Sequence, residues 1–140
     1  MPSVCSLADV AFAVDAALDD EELTHLHRQA FRDCVDGFVP WTRRLGRHSI
    51  CWVTAHVGQR LVGFVNVIGD GGVHAVLLDT VVHPAYQQRG IGKELVKRAV
   101  EEARTLGCRR VHADYDDRAA DFYERVCGFS SGASGVRRLA

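Results

Sequence analysis

The run from Leu77 to Gly107 constrains the fold more than any other part of this 140-residue chain. It begins with an apolar, β-branched segment that ends at Pro84, because proline has no N–H for a strand ladder. Apolar residues then recur every three or four positions, which predicts an amphipathic helix. Gly107 stands where a left-handed C-cap is expected. The run therefore predicts a buried strand, a glycine-containing turn and a helix.

The turn between this strand and this helix reads Gln87-Gln88-Arg89-Gly90-Ile91-Gly92 and is followed by Lys93. The first N–H groups of a helix have no partner within the helix, and the helix dipole is positive at that end, so an anion is attracted there. The two glycines let the backbone approach an anion closely, and the two cations add charge. The turn predicts a phosphate-type ligand. The turn does not match the dinucleotide-binding motif G-x-G-x-x-G, because the third glycine is replaced by leucine at position 95. It also lacks the spacing of the P-loop motif of nucleotide-binding proteins.

Composition narrows the class of protein. The length predicts a single domain over residues 1–140, and 47% hydrophobic residues supply an ordinary core. A net charge of −1 provides no positive electrostatic field that would attract nucleic acid. No apolar run is long enough to span a membrane. No secretory signal is visible at the start of the sequence. Five cysteines without CxxC or zinc spacing predict reduced thiols, a cytoplasmic protein and no metal site.

The remaining patterns predict the element order β-α-α-β-β-β-α-β-α-β. This is an α/β fold with a mixed, mostly antiparallel central sheet flanked by helices. Outside the central run, the predicted elements are a strand at 10–14, a helix from Asp19 or Asp20 to about 35, a short helix or ordered loop at 40–46, a hairpin of strands at 49–56 and 61–68, a strand at 109–114, a helix at 118–127 and an extended segment from 128.

Two segments resemble the GNAT superfamily of N-acetyltransferases. The first is Val82–Leu95, which is similar to the pattern V-x-P-x-Y-Q-x-x-G-I-G-x-x-L, and the second is Ala119–Phe129, which is similar to A-x-x-[FL]-Y-x-x-x-G-F with one extra residue before Gly128. The resemblance implies that the turn holds the pyrophosphate of acetyl-CoA and that the strand before it splays to pair with the pantetheine arm. The cofactor-binding residues that it implies are Val81, Val82, His83, Gln87, Gln88, Arg89, Gly90, Ile91, Gly92, Lys93 and Asp116. At the last of these the family often has asparagine.

Two residues are predicted to be catalytic. Asp79 interrupts an apolar strand, where a buried carboxylate needs compensation, and is the best candidate for a base or an anchor of the acceptor amine. His74 and a chain of waters remain alternatives for the base. The resemblance implies that Tyr123 protonates the leaving thiolate; a phenol (ordinary pKa ~10) can give its proton to the departing sulfur.

The resemblance implies acetyl transfer from acetyl-CoA, in a ternary complex, to a primary amine of a small molecule or peptide, and it leaves room for a homodimer. The acceptor is expected near the first helices, in the region of His25, His27, Trp41, Arg43, Arg44 and His48. A protein- or aminoacyl-tRNA-directed acetyltransferase and a non-catalytic acyl-CoA-binding module remain alternatives. Nothing in the sequence identifies the acceptor.

Overall fold

The structure is a computed structural model, and it describes residues 5–31 and 37–140. Its centre is a five-stranded sheet in the order β1-β2-β3-β4-β5, in which the first four strands pair antiparallel and β5 pairs parallel to β4. The strands are β1 Ala11–Val14, β2 Ser49–Val57, β3 Arg60–Gly69, β4 His74–Val82 and β5 Arg110–Ala113. The predicted mixed, mostly antiparallel sheet is confirmed.

In the part of the chain that the structure describes, three α-helices cover the two faces of this sheet: α1 Asp20–Ala30, α2 Trp41–His48 and α3 Ile91–Thr105. The apolar stripe of α3, including Leu95 and Ala99, packs with Val53, Val65 and Leu77 of the strands. On the opposite face, α1 and α2 form a second core, whose buried members are Leu23, Leu26, Trp41, Leu45, Leu61, Phe64 and Val81. The sheet therefore separates an α3 side from an α1–α2 side.

The bounds of α1 and α2 can be compared with those predicted from the sequence. The Asp19 carboxylate accepts a hydrogen bond from the Glu22 N–H at 2.9 Å, which caps α1 at its start. The helix α1 spans Asp20–Ala30, and its predicted continuation to about 35 falls on residues 32–36, which lie outside the described part. The segment left open as a helix or a loop is a helix, α2, and it extends to His48.

A bulge in β4 reverses the direction in which its side chains point. Phe64 pairs with Val81 and Asn66 with Leu78, so β4 has one residue more than β3 between these pairs. Because side chains alternate along a strand, one extra residue exchanges the two faces. Leu77 accordingly belongs to the core on the α3 side, and Val81 to the core on the α1–α2 side.

The C-terminal part differs from the prediction. The helix expected at 118–127 is a π-helix over Phe122–Val126, in which the N–H of Cys127 donates to the carbonyl of Phe122, five residues earlier, at 2.9 Å. A π-turn takes up one residue more than an α-turn. The expected final strand does not form; residues 128–140 are described and have no helix or strand. The predicted order thus holds as far as β5, and the last strand was wrong.

Two further properties concern the chain as described. Cys5, Cys51, Cys108 and Cys127 are free thiols. Among the described residues, no helix combines the length and the apolar character needed to cross a bilayer, and no cluster of three or more His, Cys, Asp or Glu side chains could hold a metal ion.

Candidate active site

The turn between β4 and α3 presents its backbone at the start of α3, which is 15 residues long. Gly90 is the N-cap of α3 and has a left-handed backbone (φ 86°, ψ 5°), a region that L side chains rarely adopt. Its carbonyl accepts the first helical hydrogen bond, from the Glu94 N–H at 3.1 Å. The N–H groups of residues 91–93 precede that bond at the positive end of α3. Gly90 therefore starts α3 so that the free N–H groups of the helix point toward the preceding turn, which is the arrangement that an anion site requires.

The side chains of this turn are less directly available than its backbone. The guanidinium of Arg89 donates to the carbonyl of Cys5 at 3.1 Å and lies 5.6 Å from the centre of the Tyr86 ring. Gln87 Nε2 donates to the Val82 carbonyl at 3.2 Å. Arg89 is thus held against the N-terminal segment, while Gln88 and Lys93 are exposed.

The two glycines of the turn have different roles. An added Cβ at Gly90 would meet only Leu7, at 3.8 Å, so the constraint there is the backbone angle. At Gly92 a Cβ would lie 3.3 Å from the Phe122 ring, which is tight. Gly92 therefore lets α3 approach the π-helix, and Gly90 sets the backbone conformation of the turn at the start of α3.

The carboxyl end of β4 has an edge without a strand partner. The pairing with β5 ends at Leu77 opposite Ala113, and no described strand continues it along residues 78–82 on that side. On the other side β3 stays paired as far as Val82. The N–H of His83 donates to the Val62 carbonyl of β3 at 2.8 Å, so this group does not face the open edge. The open edge is where the resemblance places the pantetheine arm, next to Val81, Val82 and His83.

Asp79 lies in the β4 bulge and is a backbone outlier. Its φ is +57°, a left-handed conformation that costs non-glycine residues roughly 1–3 kcal/mol, although aspartate tolerates it better than most. Its Oδ1 lies 3.0 Å from Nε2 of His27 on α1, and the exposed fractions of the two side chains are 22% and 18%. Such strain persists where the surroundings hold it, and it clusters at functional sites.

His27 is the residue that sequence reasoning did not connect with the site. It was grouped only with the acceptor region, since 52 residues separate it from Asp79. Its ring also lies 4.7 Å from Phe31 and 5.3 Å from Trp41, centre to centre. No local signal links the two; only the packing of α1 over β4 brings them together.

The next residue of the bulge, Thr80, leads to Tyr123. Burial raises the pKa of the Tyr123 phenol, and the adjacent hydroxyl of Thr80 partly offsets that rise by lowering the pKa. Thr80 Oγ1 is itself buried, and its contact with the phenol falls short of normal hydrogen-bond geometry. The bulge therefore connects both predicted catalytic residues: Asp79 reaches His27 on α1, and Thr80 reaches Tyr123 on the π-helix.

Aromatic rings hold Tyr123 in place. It stacks on Tyr115 with a centre-to-centre distance of 4.8 Å and an angle of 12° between planes, and it meets Phe122 and Phe129 edge to face. The Phe129 N–H donates to the Tyr123 carbonyl at 2.9 Å, which closes the π-helix. A phenol with a raised pKa keeps its proton at neutral pH, as a general acid must.

Two other candidates, Asp116 and His74, have partners outside the His27–Asp79 pair. Asp116 Oδ1 accepts hydrogen bonds from the N–H groups of Arg118 and Ala119 at 3.0 and 3.2 Å, so its carboxylate caps a local turn. His74 stands at the opposite end of β4, five residues from Asp79 or roughly 16 Å along an extended strand. Its Nδ1 lies 2.9 Å from Nε2 of His112, and both residues are exposed.

A cleft of about 130 Å³ opens beside His27 on the α1–α2 side. It is lined by Thr24, His27, Arg28, Gly37, Val39, Trp41 and Arg44. Several of the residues expected near the acceptor thus do surround one cleft, next to the His27–Asp79 pair.

Comparisons with known proteins agree with this architecture. The sequence model of the Acetyltransferase (GNAT) family matches residues 13–129. The chain is 32% identical over 91 residues to GCN5-related N-acetyltransferase 1, chloroplastic, of Arabidopsis thaliana, covering 65% of this chain and 46% of that protein. It is 31% identical over 102 residues to Serotonin N-acetyltransferase 2, chloroplastic, of Oryza sativa subsp. japonica, covering 70% and 50%.

A solved structure extends the match to the whole fold. A GNAT-family acetyltransferase of Streptococcus pneumoniae superposes with a TM-score of 0.72 at 23% identity, covering 93% of this chain and 99% of that one. At that identity the likeness concerns the fold alone. The chain spans about half the length of the two curated plant relatives.

Proposed function

The chain belongs to the GNAT family of acetyltransferases, and we propose that it transfers the acetyl group of acetyl-CoA to a primary amine. The observation that carries the proposal is the left-handed Gly90 at the N-cap of α3, directly after a strand whose edge is open. This is a backbone site for a pyrophosphate next to a backbone site for an extended arm. The family generally uses acetyl-CoA, and the residues of the turn fit such a ligand.

In the proposed site, backbone N–H groups and one charged side chain bind the pyrophosphate. The N–H groups at Ile91, Gly92 and Lys93 would hold the pyrophosphate, and the exposed Lys93 ammonium would add charge. Gln88 flanks the same turn with a left-handed backbone (φ 62°). Arg89 and Gln87 would shape the turn through their bonds to Cys5 and Val82.

The proposed chemistry is direct transfer. The amine nitrogen attacks the carbonyl carbon of the thioester, the new C–N bond forms, and the C–S bond breaks. The proton of the amine goes to the His27–Asp79 pair, and the thiolate takes the proton of the Tyr123 phenol. The products are the N-acetylated amine and the free thiol of CoA. A free alkylamine with a pKa of ~10.4 is mostly protonated at neutral pH, so a nearby proton acceptor is needed.

The test has two parts. Calorimetry should show that CoA binds and that a pantetheine fragment without the pyrophosphate binds more weakly; equal affinities would remove the pyrophosphate from the turn. A screen of amines with acetyl-CoA, following release of free thiol, should then show acceptor-dependent turnover. Binding of CoA without turnover of any amine would favour the non-catalytic acyl-CoA-binding module instead.

A further inference from the structure

The helix α2 carries an unusual concentration of positive charge for a chain whose net charge is −1. Arg43, Arg44 and Arg47 lie on its eight residues, its first turn has no acidic residue, and all three are exposed. Arg28 of α1 joins them across the cleft. None of these four arginines forms an ion pair with a carboxylate within residues 5–31 and 37–140.

Two of these arginines line the cleft beside His27. Arg28 Nη2 donates to the Gly37 carbonyl at 3.2 Å, which fixes its guanidinium at the cleft wall. The guanidinium carbon of Arg44 lies 5.2 Å from the centre of the Trp41 ring. Both cations are therefore held in place by neutral groups, so their charge is not cancelled by the contacts that position them.

A third donor is buried at the same place. Trp41 lines the cleft, only 1% of it is exposed, and its indole Nε1–H has no hydrogen-bond acceptor in the described structure. A buried donor without a partner is costly, and buried N–H groups are nearly always paired. A ligand with an acceptor oxygen in the cleft would supply the partner.

We infer that the acceptor amine carries an anionic group, a carboxylate or a phosphate ester, which binds to Arg28, Arg44 and the Trp41 indole N–H. This inference rests on the proposed function and names the class of its substrate. The ring of Trp41 lies 5.3 Å from that of His27, so an anion bound there leaves a nearby amine within reach of the His27–Asp79 pair. Polyamines and aminoglycosides would place extra positive charge against the arginines and should be poor acceptors.

Matched pairs of amines test the inference by activity. Tryptophan and tryptamine differ by a carboxylate, and glucosamine 6-phosphate and glucosamine differ by a phosphate. The acid of at least one pair should have a kcat/KM at least about tenfold higher than the partner that lacks the anionic group, as one or two charge-assisted hydrogen bonds provide. The pair with the larger ratio of kcat/KM values shows whether the cleft prefers a carboxylate or a phosphate. Equal or higher kcat/KM for the partner that lacks the anionic group, in both pairs, would overturn the inference.

Variants locate the effect. Arg44→Met and Arg28→Met should each lower kcat/KM for the preferred acid by about tenfold and reduce its advantage over the partner that lacks the anionic group. Arg47→Met removes the same charge from α2 outside the cleft and should preserve the preference. An equal loss of kcat/KM in all three variants would indicate that the arginines act through their general electrostatic field, and the cleft would then not be the binding site.

A binding measurement separates failure of this inference from failure of the proposed function. The chain has two tryptophans, and Trp52 Nε1 already donates to the Ala16 carbonyl at 2.9 Å. In a ¹H–¹⁵N spectrum, the preferred acid should shift the indole signal of Trp41 and leave that of Trp52 in place. If CoA binds and amines are acetylated but neither acid moves the Trp41 signal, only the inference about the acceptor is wrong. If the signal moves but no amine is acetylated, the anion site stands and the proposed transfer is wrong.

Discussion

The two sides of the sheet build their parts of the candidate site by different means. On the α3 side the site is made of backbone: a left-handed glycine, the first N–H groups of a helix and an open strand edge. On the α1–α2 side it is made of side chains from separate elements, with His27 from α1, Asp79 from β4 and Trp41 from α2. The bulge at Asp79 and Thr80 is where the two sides meet.

This difference affects which substitutions should matter to which substrate. A backbone site is damaged by changes in conformation and tolerates many changes of side chain. A side-chain site responds to single atoms. Substitutions on the α3 side should therefore change CoA affinity, and those on the α1–α2 side should change acceptor kinetics, with Tyr123 acting between the two.

The largest effect is expected at Gly90. Gly90→Val forces a β-branched residue into φ near +86°, so the backbone of the turn must change conformation at the start of α3. CoA affinity should fall by roughly 100-fold or more, about 2.7 kcal/mol. Calorimetry with CoA measures it, and circular dichroism checks the fold. A folded variant that binds CoA normally would show that the turn is not the cofactor site.

Tyr123→Phe comes next, because it deletes one hydroxyl and keeps the ring stack on Tyr115. Loss of general-acid assistance should lower kcat by at least ~10², with little change in melting temperature. A large loss of stability with kcat preserved would instead assign the hydroxyl a packing role next to Thr80.

The pH profile of the same pair of proteins provides a second measurement. Because burial raises the pKa of the Tyr123 phenol above the ordinary value of ~10, the acid stays protonated up to that pH. Loss of the proton removes the acid, so kcat should decline only above about pH 10, and Tyr123→Phe should lack this decline. A decline that persists in the variant belongs to another group.

The sequence predicted the α3 side better than the α1–α2 side for a physical reason. The turn is contiguous, so the glycines, the helix start and the preceding strand can all be recognised within one run of residues. The His27–Asp79 contact depends on the packing of α1 over β4 and on a bulge that exchanges the faces of the strand. Neither has a local sequence signal. The π-helix is an intermediate case: the extra residue before Gly128 was visible, but not how the helix would accommodate it.

Asp79→Asn tests the α1–α2 side with an isosteric change. Asparagine tolerates the left-handed backbone, so the bulge should remain, while the charge facing His27 is lost. Turnover or acceptor affinity should fall by roughly 10- to 100-fold, the worth of a charge-assisted hydrogen bond, and CoA affinity should stay near that of the unmodified protein. Loss of CoA binding in parallel with turnover would place Asp79 on the cofactor side or in a structural role.

The smallest effect is expected at Glu94, which provides the matched control for Asp79→Asn because it is the same carboxylate-to-amide change on the other side of the sheet. Glu94 lies in the first turn of α3 and pairs with Arg98 at 2.9 Å, with 45% of the arginine side chain exposed. An exposed pair of this kind contributes about 0.5 kcal/mol or less, and the favourable position at the helix start adds about as much. Glu94→Gln should therefore lower the melting temperature by about 4 °C or less and leave acceptor kinetics unchanged. Because the lost charge lies next to the anion site, CoA affinity should rise slightly at low salt and less at high salt. A loss of turnover comparable to that of Asp79→Asn would show that the two sides of the sheet do not divide the substrates between them.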